Sequence, residues 1–156
     1  MRMTPIELAA DLVVIGLPLR TSPERAATEI GLHWQRFMCE GIASTIAAKA
    51  GDAHLYAVYC DYESDHRGPY TMVLGVAVEP NTVVPPGLRR VRVPAGRYAS
   101  FAAKGDPAEG IWRTWVHVNS EWKERERRRF IADFERYAPG AMSASSVEAD
   151  VVVGLS

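Results

Sequence analysis

The sequence predicts an α+β fold in which one antiparallel sheet packs against two main helices. The order strand, helix, strand, strand occurs twice, over about 11–79 and 88–155, and each helix carries its apolar residues on one stripe. These segments are predicted to be two βαββ pseudo-repeats within a single domain, 1–156, a length typical of one domain. Two units that meet along a seam also create a central groove, and such grooves often bind small molecules.

The first pseudo-repeat begins with a β-branched, apolar run that predicts a buried strand over 11–19. Residues 21–24 combine hydroxyl side chains with a proline and an acid, which predicts the start of a helix. Apolar residues recur at steps of three and four over 30–46, and the Gly-Asp pair at 51–52 is predicted to end this helix. Two strands and a polar tip between them then predict a hairpin, with the strands over 55–61 and 70–78.

A proline-rich linker over 79–87 separates the two pseudo-repeats. A capping box with proline at the first helical position, at 106–109, predicts the second helix. Four strands are predicted in this half, over 88–93, 96–104, 130–137 and 147–155. The last strand alternates largely between apolar and acidic residues and, as an edge strand, could pair across a homodimer.

Composition and charge exclude several classes of protein. Eighteen Lys and Arg residues against nineteen Asp and Glu give a formal charge of −1, so direct attraction to nucleic acid phosphates or anionic lipid is not expected. No apolar run approaches the ~20 residues that cross a bilayer, and residues 1–10 lack the basic start and apolar core of a signal peptide. A cytoplasmic protein with no membrane partner is therefore predicted.

The common motifs for metals, nucleotides and activated nucleophiles are absent from the sequence, so no metal site and no cofactor are predicted. The two cysteines, Cys39 and Cys60, have neither zinc nor disulfide-scaffold spacing and are interpreted as buried thiols. The arginine-rich run at 125–129 is interleaved with acids, which favours near-neutral charge at a helix end over a phosphate site.

The segment 133–137 places an acid among aromatic residues. If it is extended, Glu135 and Tyr137 point to one side and Phe134 to the other. Burying a carboxylate in a mainly apolar segment is costly unless a partner neutralises it. Two interpretations stay open on chemistry alone: Glu135 forms an internal salt bridge or faces water, or it serves in a functional site.

Several short motifs, in order along the chain, resemble those of the GyrI-like effector-binding domains. They are Tyr59-x-x-Tyr62-Glu63-Ser64-Asp65, Gly68-x-Tyr70, Leu74-Gly75, Val93-Pro94-Ala95-Gly96-x-Tyr98 and Asp133-Phe134-Glu135-x-Tyr137. The resemblance extends over about 12–154 and is strongest to the free-standing, integron cassette-associated effector-binding proteins. It implies two βαββ units around a central groove. Relatives form the ligand-binding half of AraC-type and MerR-type transcription regulators, but no helix-turn-helix and no direct nucleic acid binding are expected here.

The resemblance also implies a binding site. In the regulators, a glutamate of the F-E-x-Y segment lies in an aromatic pocket and pairs with lipophilic cations, and the matching residues here are Glu135 and Tyr137. Tyr59, Trp112 and Trp34 are predicted as further wall residues. The expected function is non-enzymatic binding of amphipathic, cationic small molecules, since aromatic rings and one carboxylate both attract a weakly hydrated cation.

Two alternatives stay open beside this reading. Some GyrI-like proteins resemble hydrolases that open strained electrophilic rings, and in such an enzyme Glu135 would act as general acid or base, with Trp112 or Tyr137 placing the substrate. The other alternative is a modulator of a protein partner such as DNA gyrase. Catalytic turnover would distinguish the hydrolase from the binder, and a stable protein complex would favour the modulator.

Overall fold

Residues 1–141 and 148–156 are described by a computed structural model. They form one open sheet of eight antiparallel strands with two helices, which confirms the predicted α+β class. The strands are β1 (Met3–Leu8), β2 (Leu12–Thr21), β3 (Leu55–Cys60), β4 (Tyr70–Ala77), β5 (Arg89–Val93), β6 (Gly96–Ala103), β7 (Ala132–Tyr137) and β8 (Ala149–Gly154). The helices are α1 (Pro23–Cys39) and α2 (Pro107–Val116).

The strand order is β1-β6-β8-β7-β3-β4-β2-β5. The two halves of the chain therefore meet in the middle of the sheet, where β3 pairs with β7, and again near one edge, where β5 pairs with β2. In this register Ala57 lies opposite Glu135, and Tyr59 lies opposite Asp133. The strand order puts the F-E-x-Y segment at the seam between the halves, while the relation of the two halves as pseudo-repeats stays a prediction.

The first strand, β1, was not predicted from the sequence. It pairs with β6 at one edge of the sheet, and its exposure alternates, so that Ile6 and Leu8 pack against the core while their neighbours face water. Pro5 lies within it, which an edge strand tolerates because one side of the strand needs no hydrogen bonds. A short strand with one buried face and a proline carries too weak a periodic signal to be recognised.

Helix α1 begins as predicted, with Pro23 in its first turn, but it ends at Cys39 instead of near 51. Gly41, with φ +60, takes the left-handed conformation that stops the helix, and a short 3-10 turn, Ile42–Thr45, follows. Ile42 in this turn and Ile46 just after it both pack on the sheet. For this reason the helical spacing of apolar residues extends beyond the end of α1. Cys39 is exposed at the helix end, so the prediction that both thiols are buried is wrong for Cys39 and correct for Cys60.

The prediction of an edge strand over 147–155 is wrong. Strand β8 lies between β6 and β7, so both of its sides are already hydrogen bonded. The side chains of β8 alternate between two buried faces of the sheet. Val151 and Val153 pack on the side of the helices, and Val152 packs in the core on the other side. Residue 147 lies outside the described residues.

The sheet is strongly curled, and this gives the protein two cores. On the face without helices, β5 contacts β7 although three strands separate them in the sheet, and Val14, Val58 and Phe134 are buried there. Gly16 and Gly75 lie opposite each other at a close approach of β2 and β4. A Cβ on Gly75 would lie 1.9 Å from the Ile15 carbonyl oxygen, so only glycine permits this approach.

Both helices cover the other face of the sheet. Phe37 anchors α1, and α2 continues into a π turn, His117–Glu121, from which Val118 reaches the core. Between the first half of α1 and the later part of α2, the sheet is not covered, and the cavity described below lies in this gap. In the part of the chain that the structure describes, neither helix is long and apolar enough to cross a bilayer.

Candidate functional site

A cavity of about 610 Å³ lies between the two helices and above β3 and β4. This volume is in the range of small-molecule sites. Five aromatic side chains line it: Tyr59, Tyr62, Tyr70, Trp112 and Trp115. Its apolar wall on the α1 side comes from Pro23, Ala26 and Ile30, spaced so that they share one helix face. The arrangement is mostly apolar, with a few polar groups at its edges.

Glu135 lies directly behind this cavity and is 2% exposed. Its Oε2 atom accepts hydrogen bonds from the Tyr59 hydroxyl at 2.6 Å and from the Trp115 indole N–H at 2.7 Å. Its Oε1 atom accepts one from the Tyr137 hydroxyl. The small side chain of Ala57 beside it in the register leaves room for the carboxylate and its donors.

The protonation of Glu135 is balanced between two opposing effects. Burial raises the pKa of the carboxyl above its ordinary value, while the hydrogen bonds from Tyr137, Tyr59 and Trp115 lower it, and burial dominates. The pKa values of Tyr59 and Tyr137 lie well above their ordinary value, chiefly because of burial and also because of the nearby carboxylate, so both remain donors. Since the two donors on Oε2 need an acceptor, a proton on Glu135 is held only on Oε1, facing Tyr137.

The two donors on Oε2 also form the innermost wall of the cavity. The rings of Tyr59 and Trp115 pack edge to face at 5.3 Å, and Tyr59 lies 5.5 Å from Tyr70. Tyr59 and Trp115 therefore both line the cavity and donate a hydrogen bond to Glu135. Tyr70 lines the cavity next to Tyr59. Burial, with Glu135 as a smaller cause, raises the pKa of Tyr70 to about 12.

The structure distributes the five predicted site residues over two layers. Tyr59 and Trp112 line the cavity, and Trp112 is 65% exposed at its rim. Glu135 and Tyr137 lie behind the lining, and Trp34 packs on Tyr137 with ring centroids 5.1 Å apart. Trp34 and Tyr137 thus support the carboxylate and do not border the cavity.

Trp115 is one of the lining residues that the sequence did not predict. It shares the apolar stripe of α2 with Ile111 and Val118, and such a stripe is typical of core residues. Residues of this stripe lie partly in the core and partly at the cavity, so the apolar pattern of the helix does not distinguish the two locations. The available signal was the indole N–H, because a buried tryptophan needs an acceptor and Glu135 was the acid without a partner.

A second buried carboxylate, Asp133, lies two residues before Glu135 on the same face of β7. It accepts hydrogen bonds from the Tyr62 hydroxyl at 2.6 Å and from the Gly154 N–H at 2.8 Å, and it forms an ion pair with Arg128 at 2.9 Å. The sequence favoured near-neutral charge at a helix end for 125–129, but Arg128 is buried and is paired with Asp133 of β7. A buried acid on the adjacent strand needed a counter-charge, and Arg128 supplies it.

Tyr62 reaches this site because the chain reverses its side-chain alternation at Asp61. Strict alternation from β3 predicts that Tyr62 shares the face of Tyr56. Instead Asp61 has φ +49, which ends the strand and turns Tyr62 to the side of Tyr59, where it lines the cavity. Arg89 holds Asp61 in place through an ion pair at 2.6 Å.

The tip of the β3–β4 hairpin closes one end of the cavity. His66 stacks on Phe130 at 6.1 Å, and the Arg128 guanidinium lies 4.3 Å from the same ring. Arg67 is held outward by Asp65 at 2.5 Å and is 79% exposed. No group of three His, Cys, Asp or Glu side chains that could hold a metal occurs in the described part of the chain.

Residues 6–151 match the family described as integron-associated effector binding protein. The chain belongs to this family. Its sequence is similar to that of YobU of Bacillus subtilis (strain 168), a candidate transcriptional regulator by its name, with 28% identity over 144 residues, 90% of this chain and 89% of YobU. This agrees with the resemblance to GyrI-like effector-binding domains.

Solved structures share the fold of this effector-binding family member. An integron cassette protein from the mobile metagenome of Vibrio cholerae is 24% identical, with a TM-score of 0.66, over 97% of this chain and 95% of that one. The structure of SAV2435 bound to tetraphenylphosphonium is 16% identical, with a TM-score of 0.80, over 100% of this chain and 94% of that one.

Proposed function

We propose that this protein is a non-enzymatic binder of lipophilic cations, which it takes into the aromatic cavity in front of Glu135. The observation that carries the proposal is the state of that carboxylate. Among the described residues, Glu135 has three neutral hydrogen-bond donors and forms no salt bridge. A buried acid without a counter-charge is unfavourable by itself, and a bound cation would supply what is missing.

The aromatic lining suits the same class of ligand. A lipophilic cation is weakly hydrated, so it loses little solvation when it enters the cavity. Each well-placed ring face contributes about 0.5–2 kcal/mol of cation–π attraction. Tyr59 and Trp115 both line the cavity, and their polar hydrogens are directed at Glu135, so a ligand would meet the rings of these two side chains.

A relative of the same fold supports this choice of ligand. SAV2435 has been solved with tetraphenylphosphonium, which is a lipophilic cation. We carry over only the chemical class, because the identity between the two chains is 16%. The cavity volume of about 610 Å³ is of the right order for a ligand of that size.

A matched pair of ions tests the proposal. Tetraphenylphosphonium and tetraphenylborate have nearly the same shape and opposite charge, so the difference in their affinity isolates the effect of charge. Titration calorimetry of the wild-type protein is expected to give saturable binding of the cation, at least about tenfold tighter than that of the anion. Equal affinities, or binding of the anion alone, would contradict a cation site.

A hydrolase of strained electrophilic small molecules is the second candidate, and the raised pKa of Glu135 favours it because a buried carboxyl that holds its proton more tightly is suited to general acid catalysis. Against it, Tyr59 and Trp115 lie between the carboxylate and the cavity. Turnover distinguishes the two functions: an enzyme consumes a strained epoxide or cyclopropane in excess over protein, whereas a binder protects at most one equivalent.

A further inference from the structure

The cavity has two buried carboxylates behind it, and only one of them lacks a counter-charge. Asp133 and Glu135 point to the same face of β7, and both are less than 3% exposed. Asp133 is paired with Arg128, whereas Glu135 is bound by neutral donors. The two acids are therefore not equivalent toward a positively charged ligand.

The Arg128–Asp133 pair is held rigidly. The side chains are 2% and 0% exposed, and Arg128 also donates to the Asn119 side chain from the π turn. Its guanidinium lies 4.3 Å from the Phe130 ring and 5.8 Å from the Trp115 ring. Arg128 lines the cavity, so the end of the cavity next to Asp133 presents a neutral pair with its positive member toward the ligand.

The other charged side chains of the cavity lie at its mouth. Glu24, in the first turn of α1, is exposed, and Arg67 is exposed and bound to Asp65. His66 packs on Phe130 at the hairpin tip. These groups are solvated or engaged elsewhere, so among the described residues around the cavity Glu135 is the buried acid that has no counter-charge.

We infer that the cavity takes lipophilic cations with a single charge and discriminates against dications of the same length, because Arg128 withdraws the second carboxylate from ligand recognition. The inference rests on the proposed function. A second positive charge inside the cavity would lie beside Arg128 without an anion of its own, and burying an unpaired charge is costly. The uncharged end of the ligand then occupies the apolar space near Tyr62 and Tyr70.

Two alkylammonium ions of equal chain length test this in the wild-type protein. Decyltrimethylammonium has one charged end, and decane-1,10-bis(trimethylammonium) has two. Calorimetry is expected to give at least about tenfold tighter binding of the monocation. A dication that binds as tightly as the monocation, or more tightly, would overturn the inference while leaving the proposed function intact. Loss of the proposed function itself would appear as absence of tetraphenylphosphonium binding in a parallel titration.

Two variants identify the source of the discrimination. Arg128→Ala leaves Asp133 without its cation, so the preference for the monocation is expected to fall by about tenfold or to reverse. The double variant Arg128→Ala/Asp133→Asn has the same added space but no second acid, and it is expected to keep the wild-type preference. The inference is overturned if the preference is unchanged in Arg128→Ala or lost in the double variant. Because the double variant removes both buried charges, it remains informative if Arg128→Ala folds poorly.

Discussion

The indole N–H of Trp115 lies 2.7 Å from Oε2 of Glu135, so a ring that lines the cavity is also bonded to the buried acid. Tyr59 is placed in the same way on the same oxygen atom. In the proposed function, these two side chains would therefore both contact the ligand and bind the carboxylate. The charge of Glu135 would act on the ligand across one layer of side chains, and charge is weakly screened inside a protein.

Replacement of Trp115 by phenylalanine tests this joint role. A smaller aromatic ring replaces the indole and the N–H is lost, so the pKa of Glu135 is expected to rise further and the ionised fraction of its carboxyl to fall. The affinity for tetraphenylphosphonium near neutral pH should decrease roughly tenfold, as measured by calorimetry. Trp122→Phe is the matched control, because Trp122 packs on Phe101 away from the cavity. An equal loss in the control, or full affinity in Trp115→Phe, would contradict the role of the N–H.

The buried charge of Glu135 also predicts a pH dependence of stability. Its pKa in the folded protein lies above the ordinary 4.5, so the folded state binds the proton more tightly than the unfolded state. Wild-type stability should therefore decrease as the pH rises from about 4.5 through the raised pKa, and the loss should be complete above it. Glu135→Gln keeps all three hydrogen bonds, since its amide accepts on one atom and donates to Tyr137 on the other.

Urea denaturation at a series of pH values measures this difference. Wild type and Glu135→Gln are expected to match near pH 4, and the variant is expected to be more stable by about 1 kcal/mol or more near pH 8. A gain of that size corresponds to about 2–4 °C in melting temperature for a protein of this length. A difference that is constant with pH would show that the charge of Glu135 is not its cause.

Substitution by alanine is expected to have opposite effects at two glycines, Gly75 at the close approach of β2 and β4 and Gly31 on the surface of α1. Gly75→Ala places a methyl group against the Ile15 carbonyl oxygen, at 1.9 Å before relaxation, and is expected to cost about 1–3 kcal/mol of stability. Gly31→Ala, on the exposed side of α1 with open space around it, is expected to gain about 0.5–1 kcal/mol. Thermal unfolding of both variants measures the difference, and a tolerated Gly75→Ala would contradict the tight curl of the sheet.

The fold was largely predictable because strong local signals marked most elements. The proline at the start of α1 and the apolar runs of β3 and β4 act over a few residues, and the structure has a helix and two buried strands at these places. The end of α1 was not predictable in the same way, because the apolar residues Ile42 and Ile46 keep a helical spacing after the chain has left the helix at Gly41. The spacing of apolar residues indicates which side chains are buried, but it does not determine the backbone conformation of the residues that carry them.

The site was predictable only in part. Glu135 stood out because an acid among aromatic residues needs an explanation, and its place at the seam follows from the pairing of β3 with β7. The place of Tyr62 in the cavity was not predicted, because the positive φ of Asp61 reverses the alternation of side chains at the end of β3. The ion pair of Arg128 with Asp133 was not predicted, because it forms only through the path of the chain between the two residues. A contact of this kind leaves no periodic pattern in the sequence.

The central claim is that the negative charge of Glu135 provides the affinity for cations. Its most direct test is calorimetric titration of tetraphenylphosphonium into wild type, Glu135→Gln and the control Glu109→Gln, whose carboxylate is exposed on α2 and pairs with Arg113. We expect wild-type affinity in the control and a loss of at least about tenfold, or ~1.4 kcal/mol, in Glu135→Gln, with the fold of both intact. Binding of the cation by Glu135→Gln with wild-type affinity would contradict this role of the Glu135 charge.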